Sequence, residues 1–140
     1  MIRLLSAADE SVLANVAEGV FDDPIDARLA REFLSDPRHH IAVAVEDGRV
    51  VGFASGVHYL HPDKPPQMFV NEVGVSPAHQ GRGLGKSVLQ ALLEKARALG
   101  CTEAWVLTDR GNLSAMRLYG GAGGRDDGDS MMWTFPLGGA

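Results

Sequence analysis

The run from Phe69 to Leu99, FVNEVGVSPAHQGRGLGKSVLQALLEKARAL, limits what this chain can become more than any other stretch. An apolar strand ends at Ser76-Pro77, and the loop Gln80-Gly81-Arg82-Gly83-Leu84-Gly85 follows. A helix then starts abruptly, with Leu84, Val88, Leu89, Leu92, Leu93, Ala96 and Leu99 along one side. Strand, glycine-rich turn and helix N-terminus make a phosphate cradle. The first backbone N–H groups of the helix lack partners, the helix dipole is positive there, and glycines keep side chains out of the way.

Two familiar phosphate loops do not fit. Gly85-Lys86-Ser87 ends like a nucleoside-triphosphate loop, but Gln80 stands where its first glycine belongs. Gly81, Gly83 and Gly85 have the wrong last interval for a dinucleotide fingerprint.

The 140 residues suit one domain, residues 1–140, with a proper core. A net charge of −5 argues against a nucleic-acid binder, which needs a basic footprint. No apolar run approaches the roughly 18 residues of a membrane helix. The opening MIRLLSAADESVL is too short in apolar residues for a signal peptide, so a cytoplasmic protein is expected. The single cysteine, Cys101, allows no internal disulfide and reads as a buried, inert thiol. The five histidines show no metal-ligand spacing, so no metal is expected; His39-His40 reads as solvent-facing. The acids cluster twice, at Asp22, Asp23 and Asp26 and at Asp126, Asp127 and Asp129. They read either as solvated loops with a helix cap or as an electrostatic funnel for a cation.

In chain order, Ile2–Leu5 predicts a strand. A helix capped by Ser6 or Asp9 is expected to run to about Gly19, and a second over Ile25–Leu34. Ile41–Glu46 and Val50–Tyr59 flank Asp47-Gly48, a strong hairpin signal. Phe69–Val75 is the next strand, and Gly100 closes the long helix. Glu103–Leu107 predicts a short strand, Asn112 caps a helix through Leu118 or Tyr119, and Gly120–Gly128 reads as a loop. Met131, Trp133 and Phe135 alternate with Met132 and Thr134 as a final strand. Antiparallel hairpins before a strand–helix–strand crossover predict an α+β fold with a mixed sheet.

Gln80-x-x-Gly83-x-Gly85, after an apolar strand and opening an amphipathic helix, resembles the hallmark of the GNAT N-acetyltransferase superfamily. Asn112, Ala115 and Tyr119 match the family's later Asn-x-x-Ala-x-x-x-Tyr element. The resemblance covers about Ile41 to the C-terminus. It implies a mostly antiparallel central sheet with splayed fourth and fifth strands and helices on both faces. It also implies acetyl-CoA as donor and pairing into a homodimer through the last strands. Backbone N–H groups of Gln80, Gly81, Arg82, Gly83, Leu84 and Gly85 would hold the CoA pyrophosphate, with Arg82, Lys86 and Ser87 adding side-chain contacts. Val73, Gly74 and Val75 would pair with the pantetheine amides, Gly74 marking the bulge that opens the splay. Asn112 and Ala115 belong to the same cofactor-binding set.

Acetyl transfer needs a neutral amine, a polarised carbonyl and a proton for the leaving thiolate. Glu72, an acid in an otherwise apolar strand, is the candidate base; the alternative is an edge carboxylate or ion-pair partner. The resemblance makes Tyr119 the general acid, against a packed core tyrosine. A backbone N–H near Val73 is the candidate oxyanion donor. Asn71 faces the other side of the strand unless a bulge turns it toward the acceptor.

Within the superfamily, Phe69–Gly85, Ala98-Leu99-Gly100 and the tail MMWTF resemble the short aminoglycoside 3-N-acetyltransferases. That implies a polycationic amine met by Asp22, Asp23, Asn71, Glu72 and Asp127 or Asp129. Another small amine, an amino-acid derivative, a protein amine and a non-catalytic CoA-binding module are the alternatives. The chain departs from the family after Tyr119, with Gly120-Gly121-Ala122-Gly123-Gly124 in place of bulkier residues.

Overall fold

A computed structural model describes residues 1–138. Strand β1 (Ile2–Leu4) leads to a 3-10 segment (Ala7–Ala14) and helix α1 (Ala27–Ser35). Strands β2 (His39–Glu46), β3 (Arg49–Tyr59) and β4 (Gln67–Val75) come next. Helix α2 (Leu84–Ala98), strand β5 (Ala104–Trp105) and helix α3 (Leu113–Gly121) complete the order. The sheet runs β1-β2-β3-β4-β5, antiparallel except for the parallel β4–β5 pair. This is the expected α+β architecture.

The β2–β3 hairpin turns at Asp47-Gly48, whose φ values of 52° and 74° are those its tight turn requires. Ala42, Ala44, Ala54 and Gly56 form a small-residue floor on one face of the sheet. There α2 lays down its buried stripe of Val88, Leu89, Leu92 and Ala96. A Cβ at Gly56 would stand 2.9 Å from Met68 Sδ and 3.3 Å from Leu92 Cδ2, so the glycine lets α2 settle close to the sheet. Ile41, Phe53 and Ser55 point to the opposite face, toward α1. Helices therefore cover both faces.

Four expectations are corrected. The first helix does not reach Gly19. It is a 3-10 segment kinked at Asp9, whose carboxylate accepts from the Ser6 N–H at 2.8 Å and pairs with Arg3 at 2.9 Å. After Ala14 the backbone of Asn15 and Ala17 bonds to Val50, which pulls the chain out of helical geometry. The second helix starts at Ala27, because Asp26 caps it by accepting from the Leu29 N–H at 3.0 Å. The final strand does not form. Met131, Trp133 and Phe135 are 74–78% exposed and unpaired among the described residues. An alternating pattern becomes a strand only beside an edge that can bond it, and β5 offers two residues. Finally, His40 is buried rather than solvent-facing, with its Nε2 2.7 Å from His58 Nδ1.

Candidate active site

The loop before α2 has the expected shape. Gly81 and Gly83 both sit at φ 79°, in the left-handed region, and flank Arg82. Gly83 is the residue before the helix, and the first N–H to return to it is that of Ser87, at 3.1 Å. The N–H groups from Gly81 to Lys86 are thus left without backbone acceptors, at the positive end of a fifteen-residue helix. Two side chains moor the loop. Gln80 Nε2 donates to Val75 O at 3.3 Å, and Arg82 forms a two-armed ion pair with Glu46, at 2.9 and 3.2 Å. Arg82 is therefore engaged across the sheet rather than extended toward an anion. Lys86 is exposed, and the Ser87 hydroxyl donates to Gly83 O at 3.1 Å.

Beside the cradle, β4 opens away from β5. The two strands pair only at Met68–Ala104 and Phe69–Trp105, so the β5-facing edge from Val70 to Val75 has no strand partner. That edge, including Val73, Gly74 and Val75, leads toward the α2 N-terminus. An extended amide chain fits it as a strand would. The residues present suit a pyrophosphate followed by an amide-bearing arm, the chemistry of CoA. Its thioester supplies the activated acyl group.

The bulge lies elsewhere than expected. Gly56 pairs with Val70 and Ser55 with Glu72, so Asn71 is the extra residue on β4. Met68, Val70, Val73 and Val75 then share the α2 face, and two consecutive residues, Asn71 and Glu72, both turn toward α1. Gly74 serves a different need. A Cβ there would stand 2.5 Å from Val20 O and 2.8 Å from Phe53 Cε1, so glycine lets the Gly19–Asp22 loop lie across the strand. Gly19, at φ 80°, is pressed against Pro77 in the same way.

That loop also closes over the α1 face of β4. Phe21 stacks on Phe53 at 4.0 Å between ring centroids. Together with Leu13, Pro24, Ile25, Leu29, Phe33 and Ile41 they wall a cavity of about 300 Å³. Its polar residues are Asp26, Ser55, Asn71 and Glu72. A larger cavity of about 950 Å³ adjoins it through Leu13, Phe21, Pro24, Ile25 and Ala30. Glu10, Glu18, Asp22 and Asp23 are its acids. Glu72 is exposed at the cavity mouth, yet partial desolvation there raises its carboxyl pKa, and the Asp22 carboxylate adds to the shift. Both effects raise its basicity, as a general base for an alkylammonium requires.

Asn112 caps α3 by accepting from the Ala115 N–H at 3.0 Å. Tyr119, one helix turn beyond Ala115, is half-buried against the core, and burial raises its phenol pKa, keeping it protonated at neutral pH. Leu118 and Val75 both lie about 3.6 Å from the Cβ position of Gly85, so α3 packs on the start of α2 beside the end of β4. Asp127 accepts from Ser130 Oγ at 2.9 Å, and neither it nor Asp129 lines either cavity. Ser55 was not singled out from the sequence. Small residues crowd its strand, and only its register opposite Glu72 marks it.

Comparison with known proteins agrees with this geometry. Residues 7–123 match the acetyltransferase (GNAT) family. The chain is 36% identical over 124 residues to N-alpha-acetyltransferase RimI of Mycobacterium tuberculosis, covering 87% of this chain and 76% of that protein. A 60-residue stretch is 47% identical to L-2,4-diaminobutyric acid acetyltransferase of Nocardia farcinica, covering 43% of this chain and 30% of that protein. Among solved structures, an aminoglycoside acetyltransferase from an uncultured soil metagenomic sample superposes with a TM-score of 0.83 at 17% identity. It covers 99% of this chain and 96% of its own. An aminoglycoside N-acetyltransferase in complex with CoA gives 0.75 at 20% identity, covering 96% and 93%. With a family match over most of its length and the cradle, splay and bulge in place, the chain belongs to the acetyltransferase (GNAT) family and is an N-acetyltransferase.

Proposed function

We propose that this enzyme moves the acetyl group of acetyl-CoA to an amine that carries an apolar group next to it, with the α-amine of a peptide as the best-fitting acceptor. The observation that carries the reading is the smaller cavity, where Phe21, Ile25, Leu29 and Phe33 cover a sheet floor of Ile41, Phe53, Ser55, Asn71 and Glu72. Such a slot desolvates a short apolar side chain while Asn71 and Glu72 meet the nitrogen. In this scheme the Gly81–Lys86 N–H groups hold the pyrophosphate and the β4 edge holds the pantetheine arm. Glu72 takes the ammonium proton, and the amine attacks the thioester carbonyl near the Val73 N–H. Tyr119 gives its proton to the departing thiolate and recovers the one that the nitrogen sheds as the amide forms. The relative N-alpha-acetyltransferase RimI, which the chain covers over 76% of its length, supports a peptide α-amine.

Asp22 supports a second reading. It lines the adjoining cavity with Glu10, Glu18 and Asp23 and acts on Glu72 through space. A polycationic amine such as an aminoglycoside would draw on those carboxylates. The test is thiol release from acetyl-CoA against peptides with small or apolar first residues, diamines and aminoglycosides. The first reading expects the peptides to give the highest kcat/KM. Preference for aminoglycosides, lost in Asp22→Asn, would replace it with the second.

A further inference from the structure

The Arg82–Glu46 pair joins the phosphate cradle to the end of β2. Arg82 stands between two left-handed glycines, whose backbone is free of Cβ constraints. Glu46 closes β2, immediately before the rigid Asp47-Gly48 turn. Both guanidinium arms reach its carboxylate, Nη2 to Oε2 at 2.9 Å and Nη1 to Oε1 at 3.2 Å. His79 Nε2 stands 4.0 Å from the same carboxylate. Among the described residues, the other side-chain bonds to the loop are Gln80 on Val75 O and the Ser87 hydroxyl on Gly83 O.

We propose that Glu46 is a positioning residue for CoA: acting through Arg82, it fixes the Gly81–Gly83 loop in the conformation that aims its N–H groups at the pyrophosphate. This rests on the CoA reading above. An exposed ion pair adds little to global stability. Its effect here is local, because a loop of two glycines has much conformational freedom to lose on binding, and a two-armed pair removes part of it beforehand. The pair also neutralises a carboxylate that would otherwise repel the phosphates. Arg82 thus serves the phosphates indirectly, and the backbone makes the contact.

The test is calorimetric titration of the purified chain with CoA, with steady-state kinetics in parallel. Glu46→Gln should weaken CoA binding about fivefold to tenfold and raise KM for acetyl-CoA by the same factor. Its kcat at saturating acetyl-CoA and its Tm should stay near those of the wild type. Arg82→Ala should weaken CoA binding equally, and the double variant should be no worse than either single one. Unchanged or tighter CoA binding in Glu46→Gln would overturn the proposal. So would a double-variant loss equal to the product of the single losses, which would mean that Arg82 meets the phosphates itself. If the wild type binds no CoA, the functional reading falls first, and this one with it.

Discussion

Asn71 and Glu72, neighbours in sequence, face the same side of β4. The register passes from Gly56–Val70 to Ser55–Glu72 and leaves Asn71 unmatched, so the alternation of a strand is broken at one residue. Without the slip, one of the two would lie under α2. With it, an amide and a carboxylate stand together at the floor of an apolar slot. The bulge, more than either side chain alone, builds the polar floor of this slot.

Asn71 is therefore expected to matter through the acceptor. Asn71→Ala should raise KM for the amine about tenfold while leaving KM for acetyl-CoA near the wild-type value, a loss on the scale of one hydrogen bond. Initial-rate kinetics with each substrate varied in turn checks this. An equal rise in both KM values would place Asn71 in the scaffold.

Tyr119 is half-buried, and burial raises its phenol pKa, so it stays protonated across the neutral range, as the proposed general acid must. Tyr119→Phe should keep CoA affinity and reduce kcat by roughly 100-fold, the usual weight of a general acid. Calorimetry for binding and thiol release for turnover separate the two effects.

Gly83 needs its φ of 79°, yet a Cβ there would meet nothing within 4 Å. Gly83→Val should therefore fold, with backbone strain of about 1–2 kcal/mol, and lose CoA binding because the loop relaxes away from the left-handed geometry. Circular dichroism and a CoA titration on the same sample test both halves. Full CoA affinity in the variant would show that the N–H groups of this loop are not the phosphate site.

His40 makes stability pH-dependent. Burial, then the neighbouring His58 and Lys95, bring its pKa from 6.5 to about 4. The unfolded chain takes up a proton near pH 6.5 and the folded chain only near pH 4. Stability should thus be unaffected by this group above pH 6.5, fall between 6.5 and 4, and level off below, with a total of about 3 kcal/mol. Urea unfolding at pH 7.5 and pH 5 measures the fall. His40→Leu should flatten the slope, whatever its effect on absolute stability.

Local signals carried much of this fold. Asp47-Gly48 requires a tight turn, the stripe from Leu84 to Leu99 requires a packed helix, and Gly83 before it frees the donors. Each is decided within a few residues. What escaped the sequence was decided by distant partners. Asn71 turns only because of its register against Ser55, and the segment after Ala14 straightens because Val50, far along the chain, takes its backbone bonds. Gly74 looked like the bulge, but the Val20 carbonyl that explains it comes from a loop more than fifty positions earlier. His40 is buried by His58 and α2, and no local pattern announces that. The Met131–Phe135 alternation was clear, yet a strand also needs an edge, and the short β5 supplies little of one.

The central claim, that the bulge presents Glu72 as the base for the acceptor amine, is tested most directly by the pH profile of Glu72→Gln. With saturating acetyl-CoA, kcat/KM for the amine is measured from pH 6 to pH 10 for wild type and variant. The account predicts a deficit of roughly 100-fold or more at the acid end, shrinking as pH rises and the free amine becomes abundant. A deficit constant across pH would contradict it and leave Glu72 as a binding residue only.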